Sequence, residues 1–439
     1  MKPMKKFFLL ATTLMLTACT ATTTPSQTAE DKTPSPASAP RAVSMTPKQR
    51  PAVTLPTVAE APVMLFESWP LETTLDNDHI VDVEHVWLDA IQTAQSTLDF
   101  SEFYTNEREG TTLARVVQAL TDATKRGVKV RFIVDKKMYK EDNIPLSDKL
   151  AAIPGIERRI IDYEAVAGGV QHAKYFIVDG KTAYLGSQNF DWRSLQHISE
   201  MGVRLALPEL VNPLKEIFEI DWHLANDPTP TPTAAKTRCP LRVETQYNGE
   251  KITVETVASP KDILPCDAMW DLPRLIDMID AAQTSVAFQL LDYQTANYDK
   301  TAFTELDEAL QRAAARGVQV RMLVSDWSTA SSQKMKDLKR LQQIDNIETK
   351  MITIPEHTMG FVPFSRTIHS KFLIVDNDKA WLGTSNWSGD YFYHSRNVGI
   401  IVNGASFNAD LTKSFDRYWN STYSETVDPD KDYPRKKRS

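Results

Sequence analysis

Cysteine is scarce, with three in 439 residues. No cysteine or carboxylate cluster with metal-ligand spacing emerges, so the residues give no reason to expect a metal or other cofactor. A long apolar run is missing too: the stretch Phe7–Leu16 is too short to cross a bilayer permanently. Excess positive charge is absent, the formal net charge being −7. That argues against a generally basic nucleic-acid coat, although it says little about a local site. What is present is 42% hydrophobic residues, ample for a core, and length enough for two ordinary domains or one large one.

The N-terminus reads as an address. Lys2, Lys5 and Lys6 precede the apolar run, which ends in Leu16-Thr17-Ala18-Cys19. This layout resembles a bacterial lipobox, so residues 1–18 are expected to be a lipoprotein signal peptide and Cys19 the lipidated first residue. Thr20, where an aspartate would retain the protein at the inner membrane, favours the outer membrane, facing the periplasm. Losing the three leader lysines takes the charge from −7 to −10. Residues 19–62 are rich in Thr, Ser, Ala and Pro and cannot bury enough surface to fold, so they read as anchor and tether. Cys239 and Cys266 remain, in an oxidising compartment, and are expected to form one disulfide across the segment that joins two halves.

Those halves repeat each other. "HAKYFIVDGKTAYLGSQN" (172–189) aligns without a gap on "HSKFLIVDNDKAWLGTSN" (369–386). His172 falls on His369, Lys174 on Lys371, Asp179 on Asp376 and Asn189 on Asn386. Upstream, "AQSTLDF" from Ala94 matches "AQTSVAF" from Ala282, and "RGVKVRFIV" from Arg126 matches "RGVQVRMLV" from Arg316. Val83, Val86, Trp87, Ala90, Ile91 and Ala94 recur at helical spacing, whereas Val128, Val130, Phe132 and Val134 alternate as in a strand. Helices between apolar strands imply the α/β class, with one α/β sandwich per half. Boundaries follow: residues 63–225 form the first half, 226–265 a linker and hairpin opened by "NDPTPTPTAAK", and 266–428 the second half. Residues 429–439 are a basic tail, Arg435 to Arg438 being read as solvated.

On a strand, His172 and Lys174 share a face, and Asp179-Gly180 suits a hairpin turn that returns Asn189 to the histidine. If the halves pack about a pseudo-two-fold axis, the pocket between them holds two imidazoles, two ammonium groups and two amides. Such a site suits one phosphodiester. The lysines and asparagines would stabilise charge on the equatorial oxygens. One imidazole would attack phosphorus, and the other would protonate the leaving alkoxide. Asp179 and Asp376 start their turns, and a structural role is at least as expected as a catalytic one. Trp192 and Trp387 are expected in the core first, with base stacking as the functional alternative.

This pattern, His-x-Lys, four residues, Asp, six residues, Gly-Ser/Thr-x-Asn, in duplicate, resembles the phospholipase D superfamily. The resemblance implies a duplicated α/β/α sandwich with the active site at the interface and a covalent phosphohistidine. It also implies that a carboxylate or amide 28 residues after each histidine contacts it. Glu200 is thus expected to orient His172 as nucleophile, and Asn397 to hold His369 as acid. "GSQNFDWRSLQHISEMGV" and "FDRYWNSTYS" are similar to phospholipase-D-like 5′-exonucleases of lysosomes and their poxviral relatives. The similarity runs from about Leu65 to Thr426 and implies single-stranded nucleic acid as partner. "GSQNFDWRS" also has the style of cardiolipin synthases, so a membrane phospholipid is the alternative. A scaffold role with a dead site finds no support, since no signature residue is substituted. The membrane is met through the N-terminal lipid, and no obligatory protein partner is evident.

Overall fold

The repeated R-G-V tripeptide shows how local chemistry builds each half. The helix Thr112–Lys125 buries Leu113, Val116, Val117, Leu120 and Ala123 along one stripe. It ends at Arg126, and Gly127 takes a φ of +96°, a left-handed turn that favours glycine. Arg126 Nη2 donates to the carbonyl of Ile91, near the end of the helix Val83–Thr93, at 2.9 Å. Val128 then leads into the strand Lys129–Asp135. The second copy does the same with the helix Glu305–Ala315, Gly317 at φ +89°, and Arg316 Nη2 on the Ile279 carbonyl at 3.0 Å.

The computed structural model of the chain describes residues 54–57, 60–229 and 242–439. The signal peptide, Cys19, most of the tether and Cys239 lie outside the described residues; Cys266 is disulfide-bonded.

Each half is a mixed sheet between helices. In the first, Thr97–Glu102, Lys129–Asp135 and Ile156–Ile161 run parallel, linked by helices. The motif hairpin, Tyr175–Val178 with Thr182–Gly186, joins antiparallel, followed by Ile198–Leu205 and Val63–Ser68. In the second, Ser285–Leu290, Gln319–Ser325 and Ile347–Ile352 are parallel. The hairpin Phe372–Val375 with Lys379–Gly383 and the strand Asn397–Asn403 complete the correspondence. Alternation sorts the side chains. Tyr175, Ile177, Phe372 and Ile374 enter one core shared by both sheets and the helices Pro208–Leu224 and Ala405–Trp419. Phe176 and Val178 face a core of the first half that takes in Val362 from the second, and Leu373 and Val375 one within the second. The arrangement is a duplicated α/β/α sandwich.

The boundaries expected from composition need adjusting. The hairpin expected within 226–265 is Val243–Tyr247/Glu250–Ser259, and it belongs to the edge of the second sheet, because residues 253–259 pair with Asn397–Asn403. The C-terminal tail is largely exposed, as expected, but it is pinned at two points. The Lys436 ammonium lies 2.7 Å from the Asp326 carboxylate, and the Arg438 carbonyl accepts from Phe364 N at 2.7 Å. Neighbouring charge and an unpaired backbone group capture it, which composition alone does not reveal.

Between the halves sits an ion pair that water does not reach. Arg396 grips both oxygens of Asp221 at 2.8–3.1 Å and donates to the Ser259 carbonyl, and neither side chain is exposed. Asp221→Ala would leave a guanidinium buried without its counter-ion. A loss of about 3–5 kcal/mol is expected, read as a fall in the urea midpoint of unfolding.

Candidate active site

Both His-x-Lys segments are extended leads into their hairpins rather than ladder residues, the strands beginning at Tyr175 and Phe372. They are held instead by the opposite half. His172 N donates to the Arg396 carbonyl at 2.9 Å, and His369 N to the Ser199 carbonyl at 2.8 Å. The strand Ile198–Leu205 of the first half pairs with Thr367–Ile368 of the second, and Gln171 bridges Arg396 in the matching place. This is the pseudo-two-fold relation at backbone level, and it brings His172, Lys174, Glu200, His369, Lys371 and Asn397 to one interface, with Asn386 joined to it through Tyr391.

It also corrects the expected partners. His172 Nδ1 bonds Asn397 Oδ1 at 3.0 Å, and His369 Nδ1 bonds Glu200 Oε2 at 2.8 Å. Glu200 therefore does not orient His172, nor Asn397 His369. Each partner sits in its own sheet, Glu200 opposite Ser68 and Asn397 opposite Ser259, where the strand's leading residues meet the other half's histidine segment. Motif hydroxyls steady the partners within their own halves: Thr384 Oγ1 donates to Asn397 Oδ1 at 2.9 Å, and Ser187 meets Glu200.

Protonation follows from these contacts. Asn397 Nδ2 donates to the carbonyls of Tyr391 and Ser395, so its oxygen faces His172. His172 Nδ1 must then carry the proton, leaving a lone pair on Nε2. Burial and the two lysines hold the imidazole well below its ordinary pKa. Phe103 and Tyr391 clamp the ring edge-on, at centroid distances of 5.0 and 4.8 Å. Glu200 is fully buried and pushed up to about 8 by desolvation. Near neutrality the Glu200–His369 pair thus retains a proton. Whether it sits on oxygen or on Nδ1, the Nε2 of His369 bears a hydrogen. One ring offers a lone pair and the other a proton.

Lys174 and Lys371 each donate to the backbone carbonyl of their own histidine. Burial lowers both ammonium groups, Lys371 to about 7. Asn189 and Asn386 are buried, each with an amide oxygen that meets no protein partner. Gly186 and Gly383 are required by close approach: a Cβ at Gly186 would stand 2.7 Å from Gly202 Cα, and at Gly383 3.1 Å from the Val398 carbonyl. Asp179 and Asp376 lie in their turns at φ +52° and bond backbone N–H groups of Gln95–Thr97 and Gln283–Ser285. They fasten the hairpins to the neighbouring strands. Trp387 is buried against Phe288, and the Trp192 ring is covered by Arg108. Neither leaves a face free for a base.

Several members carried no sequence signal. Glu102 is buried and stabilises the charge of Lys174. Asp292 pairs with Lys334 and acts on His369 and Lys371. Tyr391, within the second motif's "GTSNWSGDYF", was the one that proximity could have flagged. Among the described residues no cluster of three His, Cys, Asp or Glu side chains could hold a metal ion.

The protonation states fix a pH profile. With His172 as the attacking base and His369 as the proton donor, kcat/KM would require His172 neutral, Lys371 charged and the Glu200–His369 pair protonated. The acid limb should lie below the usual imidazole value of about 6.5. Activity should fall as pH rises through about 7 to 8, where Lys371 and the pair lose protons. A profile of kcat/KM on a simple diester checks this; rising activity to pH 9 would contradict it.

Comparison with known proteins meets the same conclusion from outside. A family model described as cardiolipin synthase, PLD-like domain, matches residues 87–222 and 275–419, together more than half of the chain. Phospholipase D Z of Dictyostelium discoideum is 30% identical over 83% of this chain and 90% of its own. The 5′-3′ exonuclease PLD3 of Xenopus tropicalis is 30% identical, over 83% and 80%. The virion nicking-joining enzyme of vaccinia virus is 29% identical, over 82% and 88%. The fold is shared with phosphatidylserine synthase of Haemophilus influenzae, at a TM-score of 0.56 and 12% identity, over 78% of this chain and 85% of that one. The chain belongs to the phospholipase D-like family and is a phosphodiesterase of that superfamily.

Proposed function

We propose that the protein cleaves phosphodiesters in two steps through a phosphohistidine on His172, and that its substrate is the 5′ end of single-stranded nucleic acid. The observation that carries the mechanism is the pair of crossed contacts, which gives the two imidazoles opposite protonation. His172 Nε2 attacks phosphorus as the P–O bond breaks, and the departing alkoxide takes the proton from His369 Nε2. Water then gives a proton to His369 and attacks phosphorus. The P–N bond breaks, and its electron pair returns to His172. Lys174, Lys371 and the two asparagines face the developing charge.

The nucleic-acid reading is supported by similarity to an exonuclease and a viral nicking-joining enzyme along most of the chain. Phospholipid is the second reading, supported by the likeness to a phospholipase D. Lipidation at Cys19 and an outer-membrane location facing the periplasm belong to the same proposal. Purified enzyme given 5′-hydroxyl oligonucleotides and, separately, phosphatidylglycerol vesicles tests it. Stepwise shortening of the oligonucleotides is expected; turnover of the vesicles alone would transfer the assignment to lipid.

A further inference from the structure

Tyr298 is the most exposed large apolar side chain among the described residues, at 73%. A single exposed aromatic is ordinary. This one is fixed. Its hydroxyl bonds the Tyr391 hydroxyl at 3.1 Å, and its backbone N–H donates to Asp390 Oδ2 at 2.7 Å. Its loop is cross-braced by Asn297 N to the Thr301 carbonyl, by Phe303 N to the Thr295 carbonyl, and by Thr295 on Asp337. The short helix Gly389–Tyr393 that holds it is the one that presents Tyr391. The Tyr391 ring lies 4.8 Å from His172 and 6.4 Å from Tyr298, and its hydroxyl also meets the Asn386 amide. A rigid ring open to solvent is thus tied, two ring contacts away, to the attacking imidazole and to a phosphate-binding amide.

We infer that Tyr298, backed by Tyr391, is a stacking shelf for the nucleobase attached to the phosphate held at His172, a role that rests on the nucleic-acid reading above. A planar ring held with its face exposed suits a planar base of any identity, because every base has a π-face. The glycerol of a phospholipid offers nothing flat to match it. On the opposite side of the site, Phe103 packs on His172 and the Tyr104 hydroxyl is bonded to Asp191, so the exposed shelf belongs to one side only. Such a shelf would grip the terminal nucleotide without the extended basic groove that the net charge argues against.

The test uses two 5′-hydroxyl oligonucleotides of one sequence, one with a normal terminal thymidine and one with an abasic sugar in its place. The readout is the ratio of their kcat/KM values, so any loss of folded protein cancels within each variant. Wild type should favour the base-bearing strand about tenfold. Tyr298→Ala should bring the ratio near one, and Tyr298→Phe, which keeps the ring, should hold most of it. A wild-type ratio near one, or an unchanged ratio in Tyr298→Ala, overturns the shelf while leaving the nuclease standing. A wild type that cleaves neither oligonucleotide but hydrolyses phosphatidylglycerol vesicles overturns the nucleic-acid reading and the shelf together.

Discussion

Replacing His172 by alanine is expected to lower kcat/KM on bis-p-nitrophenyl phosphate by roughly 10⁴-fold or more, the scale seen when a covalent nucleophile is removed. The expectation rests on geometry around one ring. Asn397 fixes the Nδ1–H tautomer, Phe103 and Tyr391 fix the plane, and two ammonium groups keep Nε2 unprotonated. A stopped-flow trace of His172→Ala should show no burst of p-nitrophenolate. Activity within tenfold of wild type would remove the covalent route.

His369→Ala should behave differently, and the difference depends on the leaving group. p-Nitrophenolate departs without a proton, so the first step should survive and give a burst of about one equivalent. The second step then lacks its base, and steady turnover should fall by roughly 10²–10⁴-fold. For an alkoxide leaving group both steps need the proton relay, and even the burst should vanish. Glu200→Gln should shift in the same direction, because an amide at that place cannot share a proton with His369. It should also remove the alkaline limb near pH 8 that belongs to the pair. Equal loss of the p-nitrophenolate burst in His172→Ala and His369→Ala would mean that the two rings do not have separate tasks.

Much of this was legible in the sequence, because it is local. The helices repeat every 3.6 residues, the motif hairpins every two, and the duplication in register pointed to one interface for the motif side chains before any coordinates. The turn role of Asp179 and Asp376 could be read from Asp-Gly and Asp-Asn. The partners could not. A fixed spacing of 28 residues suggests contact within one half, whereas the contact is decided by packing of Ile198–Leu205 against Thr367–Ile368, residues far apart in the chain. Glu102 and Asp292, at or just past strand ends, and Lys334, in the helix Ser332–Gln342, escaped notice because a lone charge there resembles any surface charge. Trp192 and Trp387 were given their core role first, and packing gives them no other. The docked tail needed Asp326 and Phe364, which adjoin it only after folding.

The proposed assignment of nucleophile and acid now rests on partners taken from the opposite half, and this bears on how such a protein can arise. A lone ancestral half that dimerised with itself would carry the same orienting residue twice, either two carboxylates or two amides. Both histidines would then be tuned alike. Only after two copies are fused in one chain can position 200 and position 397 diverge, each adjusting the ring of its neighbour rather than its own. Joining the halves covalently is therefore what lets the sequence itself, rather than a shared proton, fix which ring takes which task.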